Sequence, residues 1–406
     1  MVLLGEKSNH LESYFSIKKR KSNDFLFYCF LHCYIYKQEV KLIILSLKNS
    51  LLSVMLLMTS MVYANVYANN FKMTDVQNPA FEESHFPFIS SVKYAQSATN
   101  MNTFLQYEFF EKIFKEKDFS NKSLSPFRMT DDYRSNYSIY SVEMNEETNY
   151  VEVGISAEFC GAYCEGFNKT FVFDIYSGQL VTLIDLFAAE GMKGLQKKII
   201  ANNKKRIEPY LKNPPAENDP EYFDGEYFLY KTCYEDLDKY YNLDEGTSFN
   251  ITDGTISIIQ GRCSNHASRA MDEVGRFVNK FTFKELEPYL SGEGKKYLSD
   301  HQYQLSSIKT SSKVFHGKVA NKYPITIISR KGGYWAYWYD KYRTPIELRK
   351  SVDKTTGELL IKEVYFDDVA DKWLANAHWR VKKAKNDYSG TFTRASDGKQ
   401  MSISFK

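Results

Sequence analysis

The apolar positions of this 406-residue chain change their rhythm twice. Across residues 100–116, Met101, Phe104, Leu105, Phe109 and Ile113 recur at helical spacing with charges opposite them, which predicts an amphipathic helix after a polar lead-in. The next runs alternate instead. SIYSVEMNEETNYVEVGISAEF (138–159) predicts two strands around an Asn-Glu-Glu-Thr-Asn turn, and KTFVFDIYSGQLVTLIDLF (169–187) predicts two more around Ser177-Gly178. Thr182 or Asp185 is placed to cap a second helix, on which Met192, Leu195, Ile199 and Ile207 share a face and which ends near Pro209. The proline-rich segment 212–220 is a loop, and a third helix covers Glu226 to Leu237. A turn at Asp253-Gly254 leads into a buried strand, and FVNKFTFKELEPYL (277–290) closes this part with a strand and a short helix. The pattern predicts an α+β body, an antiparallel sheet with helices packed on one side.

From about Ser311 the rhythm changes again. Eight short alternating runs (KVFHGKVA, PITIISR, GYWAYWYD, PIELRKSV, GELLIKEVYF, AHWRVKKA, SGTFTR and KQMSISFK) are separated by polar turns such as Lys331-Gly332-Gly333 and Ser396-Asp397-Gly398. Strands at near-regular spacing without helices predict a C-terminal all-β antiparallel meander or small barrel. In YWAYWYD, Tyr334, Ala336 and Trp338 face one side while Trp335, Tyr337 and Tyr339 face the other.

Near the N-terminus, residues 51–64 (LLSVMLLMTSMVYA) are apolar, follow Lys48, and end in small residues that recur at Val66-Tyr67-Ala68. That is the layout of a secretory signal peptide. The run is shorter than the roughly 20 residues a membrane span requires, although an uncleaved signal would act as an anchor. Residues 1–46 show neither helical nor strand periodicity, and a start at Leu47 gives an ordinary signal. We therefore read 1–46 as a gene-model extension, 47–68 as the signal peptide, 69–305 as the α+β domain and 306–406 as the all-β module, in a periplasmic or secreted protein.

Charge divides at the same place. Residues 69–305 hold 25 Lys and Arg against 36 Asp and Glu, a net −11, whereas residues 306–406 hold 20 against 10, a net +10. Either the halves have differently solvated faces or dock on each other, or each meets a partner of opposite sign.

Removing residues 1–68 leaves Cys160, Cys164, Cys233 and Cys263, an even number in an exported chain, which points to disulfides. In EFCGAYCEG the first two flank a three-residue turn between strands, a spacing that lets a disulfide close. Cys233 and Cys263 then pair across a helix and a strand, with the other two connectivities open. Cys160, Cys164, Cys263 and His266 also form a soft-ligand set for zinc or copper, but C-x3-C matches neither zinc-ribbon nor thioredoxin spacing.

The run VEVGISAEFCGAYCEGFNKTFVFDIYSGQLVTLIDLF, with DGTISIIQGRCSNHASRAMDEVGRFVNKFTFKELEPYL after it, resembles the RsiV-like domain of unknown function 3298, in its cysteine-bearing Gram-negative variant. The resemblance covers about residues 95–300. Its anchors are Phe173-Asp174 with Ser177-Gly178, Leu183 with Asp185-Leu186-Phe187, and Phe283, Leu286 and Tyr289-Leu290. It implies an α+β fold, an envelope location and, weakly, lysozyme binding, since such domains form the outer part of lysozyme-sensing anti-sigma factors. Where many relatives have Gly-Ala-His, this chain has Gly161-Ala162-Tyr163, so no imidazole role transfers.

No G-x-S-x-G, H-E-x-x-H or P-loop occurs, the five histidines after residue 68 are scattered, and neither a catalytic residue nor a cofactor is implied. The expectation is a non-enzymatic binding module for lysozyme or cell-wall material. Alternatives are a membrane-anchored sensor ectodomain and an accessory to a wall-acting hydrolase or deacetylase. Glu158, Tyr163, Glu165, His266, Asp272 and Glu273 flank the cysteine motifs and are candidate contacts for a cationic partner. Trp335 and Trp338 are candidates for an exposed aromatic row that holds peptidoglycan or an anionic envelope polymer. Nucleic acid is not an expected partner of an exported chain.

Overall fold

A computed structural model describes residues 70–406 except 79–80, 111–112, 115–136, 148, 161–163, 220, 245, 266, 301–302, 306–312, 330–333, 368–369 and 386. The extension and signal peptide expected before Asn69 lie outside the described residues. The lead-in read as merely polar forms a hairpin, β1 (Lys72–Asn78) and β2 (Phe81–Ser90), with Phe86 and Ile89 buried. The Glu146 carboxylate ties down its start, accepting from the Asn70 and Phe71 N–H groups, each at 3.0 Å, and from Asn70 Nδ2 at 2.6 Å.

The first helix, α1 (Ala95–Phe110), begins five residues before the position the apolar spacing gave. Met101, Phe104, Leu105 and Phe109 are buried as expected, but so are Ser97, Asn100, Asn102 and Gln106. Each of these polar groups serves neighbouring backbone: Asn102 exchanges two hydrogen bonds with Ile89, Ser97 Oγ donates to Ile175 O, and Gln106 Oε1 accepts from Phe114 N. From Asn100 to Gln106 the helix is buried all round and shows no single apolar stripe, so periodicity alone finds only part of it. Beneath α1 lies the antiparallel sheet of β3 (Tyr137–Glu146), β4 (Tyr150–Cys160), β5 (Cys164–Asp174) and β6 (Leu180–Val181). Phe104 packs edge-on to Phe171 and Phe173 of this sheet.

Thr182 and Asp185 cap α2 (Leu183–Leu186) together, the Asp185 carboxylate accepting from Thr182 N and Oγ1 at 2.8 Å. Next, α3 (Ala189–Leu211) buries Met192, Leu195, Ile199 and Ile207 and continues two residues past Pro209, where a missing N–H costs one bond of the last turn. After α4 (Glu221–Asp224), α5 (Glu226–Tyr240) packs on α3. Strands β7 (Ser248–Thr252), β8 (Thr255–Ile259) and β9 (Val278–Thr282) form a second antiparallel sheet. Asp253 and Gly254 both have positive φ, 49° and 71°, as a two-residue hairpin turn requires. On the outer edge of β7, Ile251 N donates to the Glu152 carboxylate at 3.0 Å and Ile251 O accepts from Tyr150 Oη at 3.1 Å. The strand edge is thus satisfied by side chains of β4. Short helices α6 (Phe283–Leu286) and α7 (Gly292–Ser299) complete the α+β body.

The eight predicted C-terminal strands are all present and close into a barrel in sequence order: β10 (Lys313–Val319), β11 (Tyr323–Ser329), β12 (Tyr334–Tyr339), β13 (Ile346–Val352), β14 (Leu359–Asp367), β15 (Lys372–Ala384), β16 (Asp387–Arg394) and β17 (Gln400–Phe405). The seam joins β10 to β17, where Gly317 faces Phe405. A Cβ at Gly317 would lie 2.2 Å from Ser404 O, so the seam closes only on glycine.

The body and the barrel dock. Val314, Ile328, Ala336 and Trp338, on the outer wall of β10 to β12, share one core with α1 and the first sheet, and Trp338 stacks on Tyr107. The Gln179 side chain bonds both backbone groups of Val314, at 2.7 and 3.0 Å, and His316 Nε2 lies 2.9 Å from both Gln96 Nε2 and Asn100 Oδ1. Burial holds the His316 imidazole below its ordinary pKa.

Candidate functional site

Residues flanking the two cysteine motifs, Glu165 and Arg269, come together in space. Cys160 and Cys164 face each other at the end of the β4–β5 hairpin, while their side chains and residues 161–163, including Tyr163, lie outside the described residues, as does His266. The Cys233–Cys263 disulfide is present, with Cα atoms 5.3 Å apart, and ties α5 to the segment that follows β8. It also removes Cys263 from the soft-ligand set considered above. Glu165, just after Cys164, forms an ion pair with Arg269, next to the second motif.

The acidic candidates separate by role. Asp272 is buried, and its carboxylate accepts from Ser264 N and Oγ, Gly275 N and Tyr230 Oη, while Tyr230 Oη accepts from Val274 N. Burial raises the Asp272 pKa, yet these bonds and the Arg262 charge outweigh it, so the group ends below its ordinary value. Asp272 therefore fastens the 264–275 loop and offers no surface contact. Glu158 is half-buried on β4, and Glu273 is exposed, with Tyr210 Oη donating to it at 3.3 Å.

The tryptophan expectation needs a larger correction. The two faces of β12 divide as predicted, but neither is open: Trp335 and Tyr337 fill the barrel, stacked on Phe315 and packed edge-on to Trp379, and Trp338 is covered by the body. Inside the barrel, Glu363 is buried and accepts from Tyr337 Oη at 2.6 Å and Trp379 Nε1 at 3.1 Å. Burial raises its pKa, and the two donors offset part of that rise.

An exposed aromatic pair lies elsewhere in the barrel, on the β14–β15 ribbon. Pairing of β13 to β14 stops at Val364, and pairing of β16 to β15 starts at Ala377. Between these limits the two strands pair only with each other, after an irregularity at Glu363/Val364. Phe366 and Trp373 are cross-strand partners there, with centroids 5.5 Å apart, and are 43% and 44% exposed. The Arg349 guanidinium sits 4.3 Å over the Trp373 ring, an arrangement that orients a cation and an aromatic face together. Tyr365, also exposed, occupies the alternate face.

No family model matches the chain, and no curated protein matches it. Among solved structures it is similar to a member of the DUF3298 family from Bacteroides fragilis, at 13% identity and TM-score 0.36 over 58% of this chain and 98% of that one. It is also similar to a DUF3298 family protein from Pseudomonas aeruginosa, at 10% identity and TM-score 0.32 over 56% of this chain and 94% of that one. Likeness at this level lends no argument about what the present chain does.

Trp373 escaped the sequence reading because the run AHWRVKKA placed the strand start at residue 377, whereas β15 begins at Lys372. Extending the alternation back across Asn376 fails by one residue, since Val364 pairs with Ala375 and Glu363 with Ala377. The irregularity hides the strand from a period-two test.

Proposed function

We propose that this is an exported, non-enzymatic envelope protein that holds an anionic cell-wall glycan on the projecting β14–β15 ribbon. The observation that carries the reading is the Phe366–Trp373 pair beneath Arg349: flat exposed rings suit the apolar faces of sugars, and a cation beside them suits carboxylate-bearing polymer. The net +10 of residues 306–406 adds long-range attraction of the same sign. The Cys233–Cys263 bridge supports an oxidising compartment. Capture of lysozyme by the acidic body has less behind it, because Asp272, one of its candidate contacts, is buried.

The test is co-sedimentation of the full chain with insoluble peptidoglycan at low and high salt, with immobilised lysozyme as a second arm. Trp373→Ala is expected to weaken retention on peptidoglycan about tenfold, equivalent to ~1.4 kcal/mol, and salt to weaken it further. Retention on peptidoglycan that Trp373→Ala leaves unchanged, or retention on lysozyme alone, would overturn the reading.

A further inference from the structure

A cleft of about 560 Å³ opens in the α+β body between α5 and the end of the β8–β9 ribbon. Its size falls within the range of small-molecule sites. Cys233, Asp236 and Leu237 lie on the α5 side, spaced three and four residues apart so that they share one helical face. Arg262 and Arg276 line the opposite side. The ribbon's last backbone bonds, Gln260 N to Phe277 O at 2.9 Å and Phe277 N to Gly261 O at 3.3 Å, bring these two arginines to the same end. The disulfide then fixes the two walls to each other, since Cys233 is one turn before Asp236 and Cys263 directly follows Arg262.

The cleft is lined by two carboxylates and two guanidiniums, and of these Asp244 is engaged within its own turn, its Oδ1 accepting from Gly246 N at 2.8 Å and from Thr247 Oγ1 at 3.3 Å. Among the described residues, neither the Arg262 nor the Arg276 side chain makes a hydrogen bond or ion pair, and the Asp236 carboxylate makes none either. Arg262 feels the charge of Asp272, whose oxygens are already engaged by Ser264, Gly275 and Tyr230. A third arginine nearby, Arg206, is spent on the carbonyls of Val274 and Arg276 at 2.8 and 3.3 Å. Both lining arginines are half-buried, and two like charges at one ribbon end repel each other. An incoming anion relieves both costs, and guanidinium matches a carboxylate in geometry. Asp236 on the facing wall disfavours a dianion and favours a ligand that also carries a cation. Among the described residues, the buried Tyr241 hydroxyl, on the same wall, has no hydrogen-bond partner.

We infer that this cleft binds a short zwitterionic peptide, its carboxylate taken by Arg262 and Arg276 and its ammonium by Asp236. The site lies in a different domain from the ribbon proposed to hold glycan, and the two assignments stand or fall separately.

The probe is the dipeptide alanyl-alanine, with its N-acetyl and C-amide derivatives and inorganic phosphate, titrated calorimetrically into the full chain. Saturable binding with a dissociation constant below about 1 mM is expected, weakened roughly tenfold by amidation and roughly fivefold by acetylation. Arg262→Gln and Arg276→Gln should each weaken the free dipeptide about tenfold. Asp236→Asn should abolish the difference between the free and acetylated forms, a change that misfolding would not produce. Trp373→Ala should leave dipeptide binding intact. No saturation by ~10 mM, equal affinity for the amide, or tighter binding of phosphate than of the dipeptide would overturn the inference.

Discussion

Glu152 gives the sharpest quantitative test of how the body is held together. Its carboxylate caps the outer edge of β7 through Ile251 N, in a half-buried position, and its pKa is raised from 4.5 to about 7. Burial is the main cause, partly offset by the Ile251 N–H, with the Glu147 charge adding to the rise. A carboxyl group that binds its proton more tightly when folded favours the folded state below the unfolded pKa. That advantage is lost as pH rises through the interval from 4.5 to about 7 and is gone above it. Each pH unit of such a difference is worth about 1.4 kcal/mol, and solvent screening at this half-open position reduces the total to ~2 kcal/mol. Glu152→Gln keeps an oxygen to accept from Ile251 N and carries no charge. The variant should therefore match the parent near pH 4.5 and exceed it by ~1–2 kcal/mol at pH 8, the gap widening through the interval and flat beyond it. Urea unfolding of both proteins at five or six pH values measures this directly. A gap that does not change with pH, or a variant less stable at pH 8, would refute the assignment.

Two further outcomes follow from contacts already described. Cys233 and Cys263 are 30 residues apart, so replacing both with serine should lower stability by ~3.5 kcal/mol through the added freedom of the unfolded chain; reductant should destabilise the parent by about that much more than it destabilises the variant. Trp338→Ala removes a buried ring from the shared core of barrel and body, at a cost of ~3–5 kcal/mol. Thermal unfolding should then split into two transitions, and a single unshifted transition would refute a role for Trp338 in coupling barrel to body.

Much of the architecture was legible in the chain because burial was one-sided there. The α3 stripe of Met192, Leu195, Ile199 and Ile207 and the eight alternating barrel runs each present one face to a core. Legibility ended where a second surface arrived. The start of α1 was masked by buried Ser97, Asn100 and Asn102, whose partners Ile175, Ser177 and Ile89 are distant or on another element. Trp338 looked available for a ligand because nothing local says that α1 and Tyr107 cover it. At the candidate sites, the pairing of Cys233 with Cys263 followed once Cys160 and Cys164 were assigned to each other across their three-residue turn, but the convergence of Asp236 with Arg262 and Arg276 was not readable. Their positions depend on how a helix and a ribbon end meet, and no local spacing encodes that.

The seam between β10 and β17 has a consequence for the order of assembly. Val314 and His316 belong to the wall that meets α1, yet their strand finds one of its two neighbours only in the eighth strand, more than 80 residues later in sequence. A chain that emerges N-terminus first during synthesis would present its helical half, with Tyr107 and Gln179 not yet covered, well before the cylinder that shields them could form. That interval is when a holding chaperone would gain most by engaging the apolar side of α1, and when premature association between copies would be easiest.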